Sequence, residues 1–332
     1  MQSISRRDLL RLLASGVAGY ATLNLLGCRT PTPVATALSV VPPGAPAVPP
    51  DSGAGTPIQP VGTPHLVVVR GTDPAELTRR AVAALGGIER FVKPGQTVIV
   101  KPNICHAPRG VEYGTTTHPD VVGALVALAV AAGARTVQVM DAPFASSPKE
   151  AYDRSGIGDA VKSAGGEMVV MSSLEYAKTP IPLGRSLKHW SVYTPALKAD
   201  VIIDVPVAKH HGSAGLSLGM KNLMGLLEPK GRGAFHGNLH QNIADLSTLF
   251  QSKLTVVDAM RTLMANGPTG GSLDDVKQQN TVFASADIVA ADAYATTLFD
   301  RLPEDIRYIA LAAEMGLGSA DLQRMRIEEL VL

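Results

Sequence analysis

The stretch that decides the fold reads Val201-Ile-Ile-Asp204-Val-Pro-Val-Ala-Lys209-His-His-Gly212-Ser-Ala-Gly215-Leu-Ser-Leu-Gly219-Met-Lys221-Asn222. It opens on a run of branched apolar residues, which is typical of a strand buried on both faces. Two Lys, two adjacent His, an Asn and three Gly then follow in one turn-rich segment. A site that holds an anion, a metal or a charged cofactor needs such a mixture, whereas a solvated loop does not. The stretch therefore predicts a buried strand that leads into a polar functional site.

Similar apolar runs recur along the body of the chain, from residue 65 to 332. They alternate with helical segments, and this order is typical of a parallel sheet that is covered on both faces. We therefore predict an α/β fold, with a mostly parallel sheet and helices on both faces, in a single large domain. The predicted strands are 66–70, 96–100, 136–140, 167–171, 200–205, 254–257 and 281–283, and the predicted helices are 73–85, 119–132, 157–164, 241–250, 287–300 and 305–315.

Charged or amide side chains follow four of the predicted strands. In open parallel sheets, ligands bind at the edge where the strands end. An Asp at such a position could instead cap the next turn, but four coincidences favour one shared site. The residues concerned are Lys101 and Asn103, Asp141, Lys209 and His210, and Asp258.

An anionic small molecule or cofactor is the expected ligand. Three lysines in one cleft repel one another unless an anion or neighbouring carboxylates offset their charge. His210 suits proton transfer near neutral pH, and His211 is expected to face the other way because adjacent residues in an extended segment alternate. We thus expect catalysis from Lys209 and His210, and ligand binding from Lys101, Asn103, Asp141, Lys221, Asn222 and Asp258.

The glycines of this stretch have two interpretations. Gly212, Gly215 and Gly219 could simply allow a tight loop. They could also bring backbone amides close to an anion, ahead of a helix that starts near Met220. Their spacing is that of neither a Walker loop nor a dinucleotide-binding fingerprint, so it gives little support to nucleotide binding.

Two further pairs of polar residues have alternative roles. His236 and His240 are four residues apart and could hold a metal on one helix face, or could merely form a polar helix start. Asp287 and Asp292 could line the cleft or cap and solvate a helix. The metal, if any, therefore stays unassigned, with the two histidines as its weak candidates.

Net charge and cysteine content argue against several classes of partner and of metal site. A formal net charge of +1 gives no electrostatic reason to expect nucleic acid as a partner. Cys28 and Cys105 are the two cysteines of the chain. If Cys28 is lipidated, no disulfide within the chain, cysteine-ligated iron–sulfur cluster or zinc finger is expected. Cys105 is then expected to be an ordinary thiol without an essential structural or redox role.

The N-terminus predicts export and a lipid anchor. Arg6-Arg7 precedes a modest apolar stretch, 12–26, as in a twin-arginine signal, and Leu25-Leu-Gly-Cys28 matches a lipobox. An uncleaved membrane anchor is the alternative. A Pro-rich linker, 29–64, could then hold the folded domain up to about 100 Å from the bilayer. We expect residues 1–28 to direct the protein to the outer face of a bacterial membrane, anchored through Cys28.

Four segments together resemble one family, the domain of unknown function 362. They are Lys101-Pro-Asn103, Pro206-Val-Ala-Lys209-His210, Met220-Lys-Asn-Leu-Met-Gly225 and Asp287-Ile-Val-Ala-Ala-Asp292. The similarity runs from about residue 65 to 315 and implies a shared fold and a shared cleft. It implies no reaction. Some members carry ferredoxin-type iron–sulfur segments, for which this sequence lacks the cysteines.

Two functions are consistent with the sequence. One is an acid–base enzyme, in which His and Lys move protons on an anionic substrate. The other is a non-catalytic lipoprotein that binds an anion or cofactor, or a redox-associated accessory protein. Turnover of anionic small molecules would separate these alternatives.

Export and anchoring can be tested by substitution. Replacing both Arg6 and Arg7 by Lys should leave the precursor in the cytoplasm, because the paired arginines are the export signal. Cys28→Ala should prevent acylation. Cell fractionation and metabolic labelling with a fatty acid would measure both effects, and acylated, membrane-bound protein from both variants would contradict the expectation.

Overall fold

The computed structural model describes residues 63–105, 109–144 and 147–332. The predicted signal 1–28, its Cys28 and the linker as far as residue 62 lie outside these residues. All the described residues belong to one compact unit. Within these ranges, no helix has the length and apolar character needed to cross a bilayer.

A ten-stranded sheet forms the centre of the molecule, in the order β12-β1-β11-β10-β7-β2-β3-β4, with β8 beside β10 and β9 beside β8. Strands β9 and β11 run antiparallel to their neighbours, and the other pairs are parallel. A separate antiparallel hairpin consists of β5 and β6. The strands are β1 (Leu66–Arg70), β2 (Thr97–Pro102), β3 (Thr136–Val139), β4 (Glu167–Met168), β5 (Tyr176–Pro180), β6 (His189–Tyr193), β7 (Val201–Val205), β8 (Val207–His211), β9 (Gly215–Ser217), β10 (Leu254–Leu263), β11 (Val276–Ser285) and β12 (Ile327–Val331).

Helices cover both faces of the sheet. Side chains alternate across a strand, so in β1 Leu66 and Val68 enter one apolar core while Val67 and Val69 enter the other. The predicted α/β architecture is therefore confirmed. The helices are α1 (Pro74–Ala84), α2 (Pro119–Ala131), α3 (Pro148–Arg154), α4 (Ile157–Ser163), α5 (Thr194–Lys198), α6 (Gly219–Asn222), α7 (Arg232–Phe235), α8 (Leu239–Leu249), α9 (Ile288–Thr296) and α10 (Arg307–Glu314).

The helix starts follow from local sequence. Asp73 accepts a hydrogen bond from the Glu76 N–H at 3.0 Å and thereby caps α1. His118 caps α2, and Asp287 caps α9. Pro follows Asp73 and His118 at the first helical position, where its missing N–H costs nothing.

The turn-rich stretch after β7 is not the loop that its glycines suggested. It forms a β-hairpin, in which Lys209 pairs with Ser217 and His211 pairs with Gly215. Strand β8 also pairs with β10. Gly215 has a φ of 77°, which an L-residue rarely adopts, so a glycine is needed to close the turn.

The start of α6 is anchored by a buried carboxylate. The Gly219 and Met220 N–H groups donate to the two oxygens of Asp292, at 2.7 and 3.0 Å. The anion at this helix start is therefore one of the protein's own side chains, which corrects the idea that these amides face a ligand. Asp292, expected to line the cleft or to cap and solvate its own helix, instead joins α9 to α6 and so fixes the position of Lys221 and Asn222.

Asp292→Ala should destabilise the fold, because two buried N–H groups lose their acceptor at about 1–3 kcal/mol each. Burial raises the pKa of Asp292 to about 7. An aspartate whose folded-state pKa is raised contributes less stability as pH rises from its unfolded value towards that pKa. The loss in free energy of unfolding, measured with urea, should thus be larger near pH 5 than near pH 8.

Asp321→Ala provides the control, since Asp321 is an exposed residue that accepts from the Gln323 N–H. We expect it to cost under about 1 kcal/mol. Similar losses in the two variants would contradict the anchoring role of Asp292.

Candidate active site

A cavity of about 340 Å³ lies beyond the C-terminal ends of β2 and β3. Its wall combines apolar side chains with an unusual number of basic ones. Among the described residues that line it, Asp141 is the single carboxylate. The basic side chains are Lys209, His211, Lys221, Arg232 and His236, and the apolar ones include Ile104, Pro143, Phe144, Met224 and Pro268.

Asp141 is already engaged by a lysine. The Lys101 ammonium lies 3.0 Å from Asp141 Oδ1, and the Lys101 side chain is fully buried. Asp141 also accepts from the backbone N–H groups of Ile104, at 2.6 Å, and Ala142, at 2.8 Å. We expected Asp141 on the rim of the site, but it is 5% exposed and forms part of the floor. It pairs directly with Lys101 and acts on Lys209 and Arg232 only from a distance.

The Asn222 amide links Lys101, Asn103 and Asp204 in one hydrogen-bond network. Its Oδ1 accepts from Lys101 Nζ and from Asn103 Nδ2, each at 3.1 Å. Its Nδ2 donates to the Lys101 carbonyl oxygen at 2.9 Å and to Asp204 Oδ1 at 2.8 Å. The amide thus uses both hydrogens and both lone pairs, which fixes its orientation.

Asp204 is the buried side chain that accepts the second N–H of the Asn222 amide. Burial raises the pKa of Asp204 well above its ordinary value, although the nearby Lys101 opposes the rise. Its Oδ2 is buried and has no hydrogen-bond partner among the described residues. A neutral carboxylic acid is the form that tolerates such a place.

Lys209 is held by the same network. Its ammonium donates to Asn103 Oδ1 at 2.9 Å and to the Thr115 carbonyl oxygen at 2.5 Å. Burial lowers the pKa of Lys209. The Cys105 thiol is a third hydrogen-bond partner of this ammonium, so Lys209 is held from three sides.

Lys221 differs from the other two lysines. Its Nζ has one hydrogen-bond contact among the described residues, the Met224 thioether at 3.9 Å, and sulfur is a weak acceptor. Burial, and next the charge of Lys209, lower the pKa of Lys221 to about 8. A cation that lacks an acceptor therefore faces the cavity.

Arg232 adds charge to the wall from a fixed position. Its Nη atoms donate to the carbonyl oxygens of Ala142, at 2.9 Å, and Leu227, at 2.6 Å. The guanidinium also lies over the Phe144 ring, 5.8 Å from the centroid. These hydrogen-bond partners are neutral, so the charge of Arg232 is offset only in part, by the nearby Asp141 carboxylate.

His211, not His210, lines the cavity. The two rings do face opposite ways, as expected, but the assignment of faces is reversed. His210 accepts from the Gly267 N–H at 3.1 Å, away from the cavity wall. His211 Nδ1 accepts from the N–H groups of Ser213, at 3.3 Å, and Ala214, at 3.2 Å. Its proton is therefore on Nε2.

The His211 ring is a neutral donor. Burial, and next the charge of Lys221, lower its pKa to about 3. His236 stacks on it, with 6.5 Å between the ring centroids, and burial lowers the pKa of His236 too. Neither ring carries a charge near neutral pH.

Asp258, another of the sequence-predicted residues, also lies outside the cavity. Asp258 lies within β10 instead of at its end, and its oxygens accept from the His118 and Met260 N–H groups, at 2.7 and 2.9 Å. The strand continues six residues past the expected end, so this aspartate joins β10 to α2. It is a structural residue and no part of the rim.

His236 and His240, the weak metal candidates, have different surroundings. His236 belongs to the cavity wall, whereas His240 stacks on Tyr308, with 6.2 Å between centroids. Within the described ranges, no group of three or more His, Cys, Asp or Glu residues is placed to hold a metal ion.

Sequence reasoning placed Lys101, Asn103, Asp141, Lys209, Lys221 and Asn222 together, and they do meet. It missed Arg232, and it set Cys105 aside, although both line the cavity. The Cys105 thiol is 6% exposed and lies 3.8 Å from the Pro268 carbonyl oxygen. Its place two residues after Asn103 was the one available signal.

The model of the family described as a domain of unknown function, DUF362, matches residues 98–297, more than half of the chain. The chain belongs to this family. The match spans β2 to α9, and so contains every residue of the network around Asn222.

A thylakoid-associated protein of Synechocystis is 27% identical over 248 residues, which cover 72% of this chain and 74% of the relative. Two solved structures are similar over 70% of this chain. The lactate racemase apoprotein of Thermoanaerobacterium thermosaccharolyticum is 13% identical, with a TM-score of 0.42, and a protein from Thermotoga maritima is 12% identical, with a TM-score of 0.45. The chain spans 56% and 60% of their respective lengths.

Gly225→Ala should disrupt the floor of the DUF362 site. A Cβ at this position would lie 2.5 Å from Lys101 Cε and 2.6 Å from Lys101 Nζ, so the buried ion pair would have to move. Overpacking of this kind costs about 1–3 kcal/mol. Urea unfolding would measure the loss.

Gly233→Ala is the matched control, because a Cβ there meets nothing within 4 Å and the residue lies in α7. It should be neutral or slightly stabilising. A neutral Gly225→Ala would show that the Lys101–Asp141 geometry is not fixed by this contact.

Proposed function

We propose that this protein is an exported, membrane-tethered protein whose DUF362 domain binds a small organic anion in the cavity. The observation that carries the proposal is Lys221, a lysine in the cavity wall whose ammonium has only a thioether as partner. Lys221 is partly buried, and an ammonium that gives up water for a weak acceptor loses free energy. A bound anion would remove that cost.

The charges around Lys221 favour the same ligand. Lys209 and Arg232 bring further positive charge close to Lys221, and His211 offers an Nε2–H group. The Asp141 carboxylate is bonded to Lys101 and must also offset Lys209 and Arg232, so one negative charge serves several cations. A carboxylate or phosphate group would accept from several of these donors at once.

The apolar residues of the wall indicate that the ligand also has an apolar part. Ile104, Met224, Pro268 and the ring of Phe144 form an apolar surface beside the cations. A pocket of about 340 Å³ with a few convergent polar groups suits a small molecule. We therefore assign the cavity to an organic anion that combines one charged group with a short apolar part.

Histidine acid–base catalysis is not supported by this arrangement. His210 lies outside the wall, and a His211 ring with a pKa near 3 stays neutral across the physiological range. Lys209 is bound by two acceptors. The arrangement therefore favours anion binding by lysines over the catalysis by His210 and Lys209 that the sequence indicated.

The membrane tether rests on the N-terminal sequence and on the relative. Arg6-Arg7 and the Leu25-Leu-Gly-Cys28 segment motivate export and lipidation. The thylakoid-associated relative supports association with a membrane.

Lys221→Met should weaken anion binding. Charge-assisted hydrogen bonds are worth about 1.5–3 kcal/mol, so the Kd should rise about 10- to 100-fold. Isothermal titration of the full chain with inorganic phosphate and with propanoate would measure it. Binding to the unaltered protein should also weaken as pH rises through about 8, since Lys221 then loses its proton.

Lys149→Met is the matched control, because Lys149 is exposed and pairs with Asp153 on the surface. It should leave the Kd unchanged, and Lys221→Arg should retain binding through its charge. Equal affinity of the Lys221→Met variant and the unaltered protein for both anions would refute the proposed function.

A further inference from the structure

Lys221 is the lysine of this site that can react as an amine. Lys101 is paired with Asp141, and Lys209 is held by two oxygen acceptors. A lysine amine becomes a nucleophile when it is desolvated or lies next to another cationic group, and both conditions apply to Lys221.

We propose that Lys221 forms an imine with a small 2-oxo carboxylate bound in the cavity. The proposal rests on the proposed function, whose anion it identifies by chemical class. A 2-oxo acid carries its carboxylate directly beside its carbonyl carbon. One compact molecule can therefore meet the cations of the wall and offer an electrophile to the Lys221 amine.

The reaction balances without an oxidant or reductant. The lone pair of Nζ forms a bond to the carbonyl carbon, the carbonyl π pair moves to oxygen, and one proton passes from Nζ to that oxygen. The resulting carbinolamine releases its hydroxyl group with a proton as water, and the carbon–nitrogen double bond forms. Substrate and enzyme thus lose one water molecule in total.

The remaining groups of the wall suit these steps. The positive charge of Lys209, which acts on Lys221, also attracts the carboxylate. The Nε2–H of His211 is available to the oxygen on which negative charge develops, and a neutral donor does so without raising the pKa of the amine. Lys209 and Arg232 favour the uncharged amine of Lys221, because both lower its pKa by repulsion.

The proton equilibrium of Lys221 involves groups from several elements. Lys209 on β8, Arg232 on α7 and Cys105 beyond β2 act on its charge. His211 and His236 complete the titratable neighbours, and Asp141 is bonded to Lys101. With a pKa of about 8, a useful fraction of Lys221 is amine near neutral pH, whereas an exposed lysine titrates near about 10.4.

Reductive trapping tests the proposal on the full-length protein. The protein is incubated with pyruvate and sodium cyanoborohydride near pH 7.5, and the product is mapped by peptide mass spectrometry. The reduced pyruvate adduct should lie on Lys221, form faster than on any exposed lysine, and decrease when excess propanoate competes. Lys221→Arg keeps the charge and should lose the adduct, and Lys149→Arg should leave it unchanged.

The outcomes separate the inference from the proposed function. If calorimetry shows anion binding but no adduct forms on Lys221, the imine is refuted and the anion site stands. If neither binding nor adduct is found, both fail. If neutral acetone labels Lys221 as well as pyruvate does, or if label spreads evenly over surface lysines, the assignment to a 2-oxo carboxylate is overturned.

Discussion

The buried ammonium of Lys101 is the constraint on which the site depends. A charge with no access to water must be met by the protein itself, and removing one partner of a buried ion pair costs about 3–5 kcal/mol. Asp141 provides the counter-charge, and Asn222 and the Pro102 carbonyl oxygen accept the other N–H groups. Asn103 and Asp204 are linked to Lys101 through their hydrogen bonds with Asn222.

The need to satisfy Lys101 constrains two other parts of the molecule, the start of α6 and Gly225. Asn222 must sit on α6, so α6 must start where Asp292 can hold its first N–H groups. Gly225 must lack a side chain, because Lys101 occupies the space a Cβ would need. Lys221, one residue before Asn222, is thereby placed in the wall with the Met224 thioether as its one weak acceptor among the described residues. The position of this weakly paired lysine thus follows from the way in which Lys101 is paired.

The sequence predicted the architecture because strand alternation and helix caps are local signals. Asp73, His118 and the Val-rich runs act through their near neighbours. The convergence of Lys101, Asn103 and Lys209 was predictable too, since parallel strands end at one edge. The hairpin β8–β9 was not, because its pairing with β10 is a tertiary contact, and its glycines read as a loop.

The roles of individual side chains were the least predictable part. Asp258 follows an apolar run, as a ligand-binding residue would, yet its carboxylate accepts a hydrogen bond from the His118 N–H. Whether His210 or His211 faces the cavity depends on the register of β8 against β9, which alternation alone does not fix. Arg232 reaches the site from a short helix ten residues after Asn222, and no local pattern marks it.

The central claim is that the cavity leaves a positive charge for a bound anion to meet. A crystal of the protein soaked in bromide would test it most directly, because bromide is located by its anomalous scattering. An anomalous peak is expected inside the cavity, within contact distance of Lys221 Nζ, and it should disappear in Lys221→Met. Bromide sites confined to the outer surface, with none beside Lys221, would contradict it.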